Sequence, residues 1–148
     1  MRSRSGFTIT ELLVVLTLVG IIGGFAAVQA GKGLTQTRVQ RAAAVISTDL
    51  KLAHSVAGRA RHPVRVVVDA ANLNVRVEHF TDATTVYSER NFGPNSEMPL
   101  QFMATTAASI FVFPNGLASS SIGITVRAAD DRRLVTMTRA GLVRVSEP

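Results

Sequence analysis

Residues 7–28 read FTITELLVVLTLVGIIGGFAAV, and Glu11 is the one charged side chain within this apolar run. At about 1.5 Å per residue, a helix of this length spans the hydrocarbon core of a bilayer. Arg2 and Arg4 precede the run, and the excess of basic residues on the cytoplasmic side of membrane proteins predicts a cytoplasmic N-terminus. The remainder of the chain is then expected on the other side of the membrane, as in a single-pass protein.

The position of Glu11 separates the possible explanations of this run. A secretory signal is one alternative, because residues 26–30 resemble a late cleavage site, and an uncleaved membrane anchor is another. Neither explains a carboxylate inside an apolar span, which is costly unless it is paired or neutralised. Cleavage between Gly6 and Phe7 would provide the partner, because it creates an N-terminal ammonium close to Glu11 in the same chain or beside it in a neighbouring chain.

The start of the apolar run matches a known processing motif at Gly6, Phe7, Thr8 and Glu11. In this respect the chain resembles type IV pilin-like proteins. The resemblance implies cleavage after Gly6 by a prepilin peptidase, followed by N-methylation of Phe7. It also implies a bacterial inner-membrane protein that later joins other pilins or pseudopilins in a filament. In such filaments the residue that matches Glu11 neutralises the N-terminal amine of a neighbouring subunit.

After the apolar run, the pattern predicts an amphipathic helix that ends near Gly58 and Pro63. Spacings of three and four residues place apolar side chains on one helix face: Val39, Ala43, Ile46, Leu50, Ala53 and Ala57. The segment is basic, within a chain of formal net charge +6. A solvated face near anionic lipid, a contact with acidic faces of neighbouring subunits, and capture of nucleic acid all remain open for it.

From residue 63 onward, short alternating runs separated by turn residues predict an antiparallel sandwich or two-sheet domain. A hairpin is expected over residues 63–69 and 73–80, with a weaker strand over 84–88 and a loop over 91–99. The remaining predicted strands cover 109–113, 122–127, 133–138 and 142–145.

The sequence therefore predicts an α+β fold, in which a long N-terminal helix, membrane-spanning in its first half, packs on a C-terminal antiparallel β-sheet domain. The expected segments are a leader over 1–6, a transmembrane and filament-core helix over 7–28, a periplasmic amphipathic extension over 29–62, and a β-rich domain over 63–148.

The C-terminal part is similar, more loosely, to the H-type minor pseudopilin branch (GspH/FimT-like). The segments that carry this resemblance are 50–54 (LKLAH), 111–116 (FVFPNG) and 138–145 (TRAGLVRV). The branch implies one of two roles. One is a minor pseudopilin of a type II secretion system, which helps to export folded proteins from the periplasm. The alternative is a FimT-like minor type IV pilin that binds DNA during natural transformation.

The DNA-binding alternative depends on arginines in and near the last predicted hairpin. The candidate nucleic-acid-binding residues that the resemblance implies are Arg139 and Arg144, with Arg132 and Arg133 nearby. Sequence-independent DNA binding requires a clustered basic surface that displaces counterions. Leu142 stands where an Arg is common in the branch, and acidic residues 130–131 lie in the same region. The sequence therefore favours the secretion role.

No feature of the sequence indicates an enzyme. The chain has no cysteine, and no carboxylates accompany His54, His62 and His79 as a metal ligand set. Motifs of phosphate loops, dinucleotide sites, zinc peptidases and serine nucleophiles are missing from it. Asp69 and Glu78 are expected to be surface residues at strand edges. The sequence thus predicts no catalytic residues, no metal and no cofactor.

Overall fold

The structure, a computed structural model, describes residues 8–147, except for the side chains of residues 27, 28 and 30–32. One helix precedes the strands: α1 (Ile9–Ala60), β1 (Val64–Asp69), β2 (Asn74–His79), β3 (Val86–Asn91), β4 (Phe102–Thr105), β5 (Ser109–Val112), β6 (Ile122–Ala128), β7 (Asp131–Met137) and β8 (Val143–Ser146). The chain divides into two compact units, the first ending at Leu34 and the second beginning at Thr35, so α1 contributes to both.

In the first unit, which is helical where it is described from Ile9 onward, no described side chain is buried in a protein core. The segment Ile9–Ala26 has a mean hydropathy of 2.2, and none of it is buried within the protein. Its large apolar side chains are exposed, as Leu16 and Phe25 illustrate. By length and composition this segment is able to cross a membrane. Exposed apolar surface of this extent requires a bilayer or partner helices to cover it.

In the second unit, α1 packs one apolar face against the sheets. The positions predicted to share this face are all buried: Val39, Ala43, Ile46, Leu50, Ala53 and Ala57. Their spacing of three and four residues aligns them along one side of an α-helix. The helix ends at Ala60. Arg61 follows with a φ of 56°, a left-handed conformation that commonly terminates helices.

Two antiparallel four-stranded sheets complete the core, one with the order β3-β2-β1-β5 and the other with the order β4-β6-β7-β8. Alternate side chains of each strand point inward, so that β1 buries Val64, Val66 and Val68. The predicted first hairpin is formed by β1 and β2, with Val64 opposite His79. The α+β class, with a helix packed on antiparallel sheets, is confirmed.

Two strands differ from the sequence pattern. β3 begins at Val86 and not at the start of the predicted strand over 84–88, because Asp82 accepts hydrogen bonds from Thr84 and Thr85 in the preceding turn. These bonds favour the carboxylate and lower the pKa of Asp82 to about 2. β4 is not predicted at all, because it is only four residues long and is held by pairing with the distant strand β6.

Asp49 connects α1 to β3, although its side chain is only 3% exposed. The Ser88 hydroxyl donates to one carboxylate oxygen at 2.8 Å, and the Arg90 Nε–H donates to the other at 3.4 Å. A buried carboxylate is tolerated only when its oxygens accept such bonds. Asp49 therefore fixes the helix to an edge strand of the first sheet.

Replacing Asp49 by Ala is expected to lower the free energy of unfolding by about 2 kcal/mol, because the part-buried Ser88 hydroxyl loses its acceptor. Thr48→Ala is the matched control, since the Thr48 hydroxyl is exposed and bonds its own helix at the Ala44 carbonyl. We expect that control to stay within about 0.5 kcal/mol of the parent. Urea unfolding of the full-length protein measures both, and equal losses would contradict the anchoring role of Asp49.

The prediction that Glu78 is a surface residue is wrong. Its side chain is 4% exposed, and it lies directly opposite Arg65 in the pairing of β1 with β2. The Arg65 Nε–H donates to its carboxylate at 2.6 Å, and an Arg76 nitrogen lies 3.8 Å from the other carboxylate oxygen. The side chains of Arg65 and Arg76 cover Glu78. The position of Glu78 in the sequence does not reveal this burial.

Candidate functional site

α1 begins with a side-chain cap at Thr8. The Thr8 hydroxyl oxygen accepts a hydrogen bond from the backbone N–H of Glu11 at 3.2 Å, and the Thr8 carbonyl accepts one from the N–H of Leu12 at 3.1 Å. This is the N-cap arrangement expected of a Thr-x-x-Glu sequence. It places Glu11 in the first turn of the helix, where the positive end of the helix dipole favours a carboxylate.

The predicted cleavage site lies outside the described residues, which begin at Thr8. Cleavage after Gly6 and methylation of Phe7 therefore stay predictions. Chain connectivity places the amine that such a cut would release one residue before the cap. The same helix end would then carry an ammonium and the Glu11 carboxylate, within a span whose other side chains are uncharged.

Arg133 lies on the core-facing side of the second sheet. It is opposite Val126, whose side chain is fully buried, so the two side chains share one face. The Arg133 side chain is 11% exposed, and its Nη2 lies 2.6 Å from the Oε1 of Glu147. A guanidinium that is nearly buried and already neutralised offers little to a nucleic-acid phosphate.

The other three predicted arginines are exposed. Arg132 lies opposite Arg127, whereas Arg144 lies opposite Thr136. At about 3.3 Å per residue, Arg132 and Thr136 are separated by about 13 Å along β7. Arg132 is therefore near one end of the second sheet, and Arg144 with the turn residue Arg139 is near the other. The four predicted residues do not form one cluster.

Arg127 is the neighbour of Arg132 that sequence reasoning missed. Its guanidinium carbon lies 5.2 Å from the centroid of the Phe102 ring, a cation–π contact. The sequence of β6 does indicate that Arg127 is exposed, because buried Ile124 and Val126 alternate with outward positions and place Arg127 on the outer face. The pairing with Arg132 depends on the register of β6 with β7.

Two hairpin turns of the second unit, over residues 113–117 and 138–142, have the same geometry. In each, the N–H of the first residue donates to the carbonyl of the last, and the glycine N–H donates to the carbonyl of the first. Gly116 and Gly141 occupy the same position, with φ angles of 83° and 78°. Only glycine adopts this left-handed conformation without strain. Each glycine is followed by an exposed leucine.

The His54 ring lies against both turns. A Cβ at Gly141 would lie 2.8 Å from Cε1 and from Nδ1 of His54, and a Cβ at Gly116 would lie 3.2 Å from Cε1. Among the described residues, the buried Nδ1 of His54 has no hydrogen-bond partner. The segments that carry the H-type resemblance therefore meet at one corner: 50–54, 111–116 and 138–145.

His62 and His79 form a second histidine contact, with ring centroids 4.2 Å apart. The Tyr87 hydroxyl lies 3.4 Å from Nε2 of His62, whose Nδ1 lies 3.1 Å from the Pro63 carbonyl oxygen. Within residues 8–147, no three His, Cys, Asp or Glu side chains come together in a group that could hold a metal ion. Packing and local hydrogen bonds account for this pair.

Both the sequence motif at the N-terminus and the fold are similar to those of known proteins. A family described as the prokaryotic N-terminal methylation motif matches residues 1–27. The type IV minor pilin FimU of Pseudomonas aeruginosa has a similar structure, with a TM-score of 0.61 and 12% identity, over 75% of this chain and 90% of that chain. The minor pseudopilin EpsH of the type 2 secretion system of Vibrio cholerae is similar with a TM-score of 0.53 and 16% identity, over 75% and 98%. No curated protein sequence matches significantly.

The motif match covers the cap and the apolar helix, and the structural likeness, at such low identity, concerns the fold. Both agree with the geometry of the first turn of α1 and with the helix-on-sheets architecture of the second unit. The chain is therefore similar to type IV pilin-like proteins, with an N-terminal methylation motif on an apolar helix and an α+β fold that a minor pilin and a minor pseudopilin also have.

Proposed function

We propose that the chain is a minor subunit of a pilus-like filament, without catalytic activity of its own. In this proposal a prepilin peptidase cleaves after Gly6 and methylates Phe7, the N-terminus faces the cytoplasm, and the second unit lies in the periplasm. The observation that carries the proposal is the turn in which Thr8 caps the helix and holds Glu11 at its head. Glu11 then pairs with the N-terminal amine of a neighbouring subunit when the apolar helices pack together.

Within this class, the proposal favours a minor pseudopilin of a type II secretion system, assembled for protein export. The support comes from the second sheet, where the candidate arginines are divided between two ends and Arg133 is paired with Glu147. Leu142 is 50% exposed at the position where an arginine is common in the H-type branch, so the last hairpin lacks one cation that DNA binding would use. The chain is similar in fold both to the pseudopilin EpsH and to the type IV minor pilin FimU, so the choice between the two roles rests on the second sheet.

A DNA-binding minor pilin is the second candidate, and one observation favours it. Arg139 and Arg144 are exposed at the β7–β8 hairpin, and neither forms an ion pair with any residue in the range 8–147. Cations without internal partners are available to phosphates. An aromatic stacking platform of the kind that binds single strands would have few candidates, because the chain has no Trp and one Tyr, Tyr87.

Retention of the full-length protein on duplex DNA, in detergent at low and at physiological salt, distinguishes the two candidates. For a secretion pseudopilin we expect weak retention that is lost at physiological salt, and R139Q/R144Q should change it no more than R127Q/R132Q. For a DNA-binding pilin, retention persists, R139Q/R144Q alone weakens it, and the slope of log K against log salt falls by about 0.9 for each lost phosphate contact.

A further inference from the structure

The second unit has a groove of about 480 Å³ at the N-terminal end of its part of α1. Thr35 and Arg38 of the helix line one side of this groove. Gln101, Ala128 at the end of β6 and the turn residue Ala129 line another. The remaining walls are mostly apolar: Leu73, Pro94, Pro99 and Leu100. The groove thus combines an apolar interior with a cation at its margin.

Two arginines face each other beside this groove. Arg127 and Arg132 are directly opposite in β6 and β7, which places their Cβ atoms about 5 Å apart and makes their charges repel. Arg127 lies over Phe102, whose side chain is 44% exposed. In the described part of the chain neither arginine forms an ion pair, and the turn residue Asp130 and Asp131 at the start of β7 form none either. The two neighbouring guanidinium groups therefore favour the binding of an external anion.

Hydrogen bonds connect this pair to the groove. The Gln101 N–H donates to the Arg127 carbonyl at 3.0 Å, and the Ala129 N–H donates to the Gln101 Oε1 at 2.9 Å. Arg38 is exposed on the helix side of the same groove. We call this surface the basic end, and it consists of Arg38, Arg127, Arg132 and Phe102. Asp130 and Asp131 lie beside it, so three guanidinium groups stand against two carboxylates.

We propose that the basic end binds anionic phospholipid headgroups while the chain is anchored in the membrane. This proposal rests on the membrane-anchored state of the proposed function. Only residues 27–37 separate Ala26, the last residue of the candidate span, from Arg38. This connection limits the distance between Arg38 and the end of the span to about 18 Å along a helix and about 40 Å at full extension. Guanidinium groups bind phosphate through paired N–H donors, and an exposed Phe beside apolar walls suits the boundary between headgroups and acyl chains.

Hydrogen exchange of the full-length protein in lipid nanodiscs tests this proposal. Discs of phosphatidylcholine are compared with discs that also contain phosphatidylglycerol. In the anionic discs, amides of the β6–β7 turn and of residues 100–102 should exchange more slowly, by about fivefold for each arginine engaged. Added salt should remove the difference. R127Q/R132Q should lose the protection, whereas R139Q/R144Q, which removes the same charge at the other end of β7, should keep it.

Several results would overturn the proposal. Equal exchange in both kinds of disc would show that no headgroup is bound, and equal losses in the two double variants would show that only total charge matters. Protection of the same amides by duplex DNA in neutral discs, without protection by anionic lipid, would assign the basic end to nucleic acid. Failure of the protein to migrate with either disc would contradict membrane anchoring itself, and with it the proposed function.

Discussion

Gly141→Ala is expected to lower the free energy of unfolding of the second unit by about 3 kcal/mol, through backbone strain and overpacking together. The φ of 78° at this position is one that residues with a Cβ adopt only with strain. The added Cβ would also lie 2.8 Å from two atoms of the His54 ring and 3.0 Å from the Gly116 carbonyl oxygen. Both neighbours belong to the same packed corner, so neither can move without disturbing the other turn.

Two further glycines serve as matched controls. Gly116→Ala introduces similar backbone strain, at a φ of 83°, but its Cβ would approach His54 no closer than 3.2 Å. We therefore expect a smaller loss, of about 1–2 kcal/mol. Gly58 lies in α1 with nothing within 4 Å of an added Cβ, so Gly58→Ala should stabilise the helix by up to about 1 kcal/mol. Urea unfolding of the full-length protein in detergent measures all three.

A double-mutant cycle with His54→Ala isolates the contact from the backbone strain. In the His54→Ala background, Gly141→Ala should lose the overpacking against the ring and retain the backbone strain and the close approach to the Gly116 carbonyl oxygen, so its effect should be smaller than in the parent. An effect of Gly141→Ala that is unchanged by the loss of the His54 ring would show that the ring does not confine this turn.

Features set by neighbours in the sequence are the ones that the sequence predicts well. The spacing of apolar residues from Val39 to Ala57 defines the buried face of α1 without reference to any other element. The alternation in β1 and β2 likewise predicts their hairpin and its inward face. The cap of α1 was not predicted, although Thr8 and Glu11 stand at the local spacing of an N-cap bond.

Features that depend on pairing between distant residues are not predicted from the sequence. Glu78 is buried because β1 places Arg65 opposite it. Arg133 faces the core because it alternates with buried Val135 and Met137 in β7, and the register of β7 sets it opposite Val126. The corner at His54 also requires the two sheets to meet, which the bond from the Ala118 N–H to the Arg139 carbonyl achieves at 2.8 Å. No local pattern specifies any of these contacts.

Glu11→Ala is expected to abolish incorporation into filaments while leaving cleavage of the leader largely intact. In the proposed filament the N-terminal ammonium of a neighbouring subunit is removed from water, and Glu11 is the one carboxylate in the span that can neutralise it. Leaving a buried charge without its partner costs about 3–5 kcal/mol, which corresponds to a loss of incorporation of more than about a hundredfold. Glu11→Gln, which keeps the shape but not the charge, should fail in the same way.

Thr17→Ala is the control for Glu11→Ala, because it also removes a polar group from the apolar run. The Thr17 hydroxyl donates to the Val14 carbonyl of its own helix at 2.8 Å, so its loss leaves no group in need of a partner. We expect this variant to be incorporated normally. Filaments sheared from cells and probed for the chain measure incorporation, and the mass of the mature N-terminus measures cleavage and methylation separately. Normal incorporation of cleaved Glu11→Ala would show that the carboxylate is not needed for assembly. Loss of cleavage would show instead that the carboxylate is needed for recognition by the peptidase.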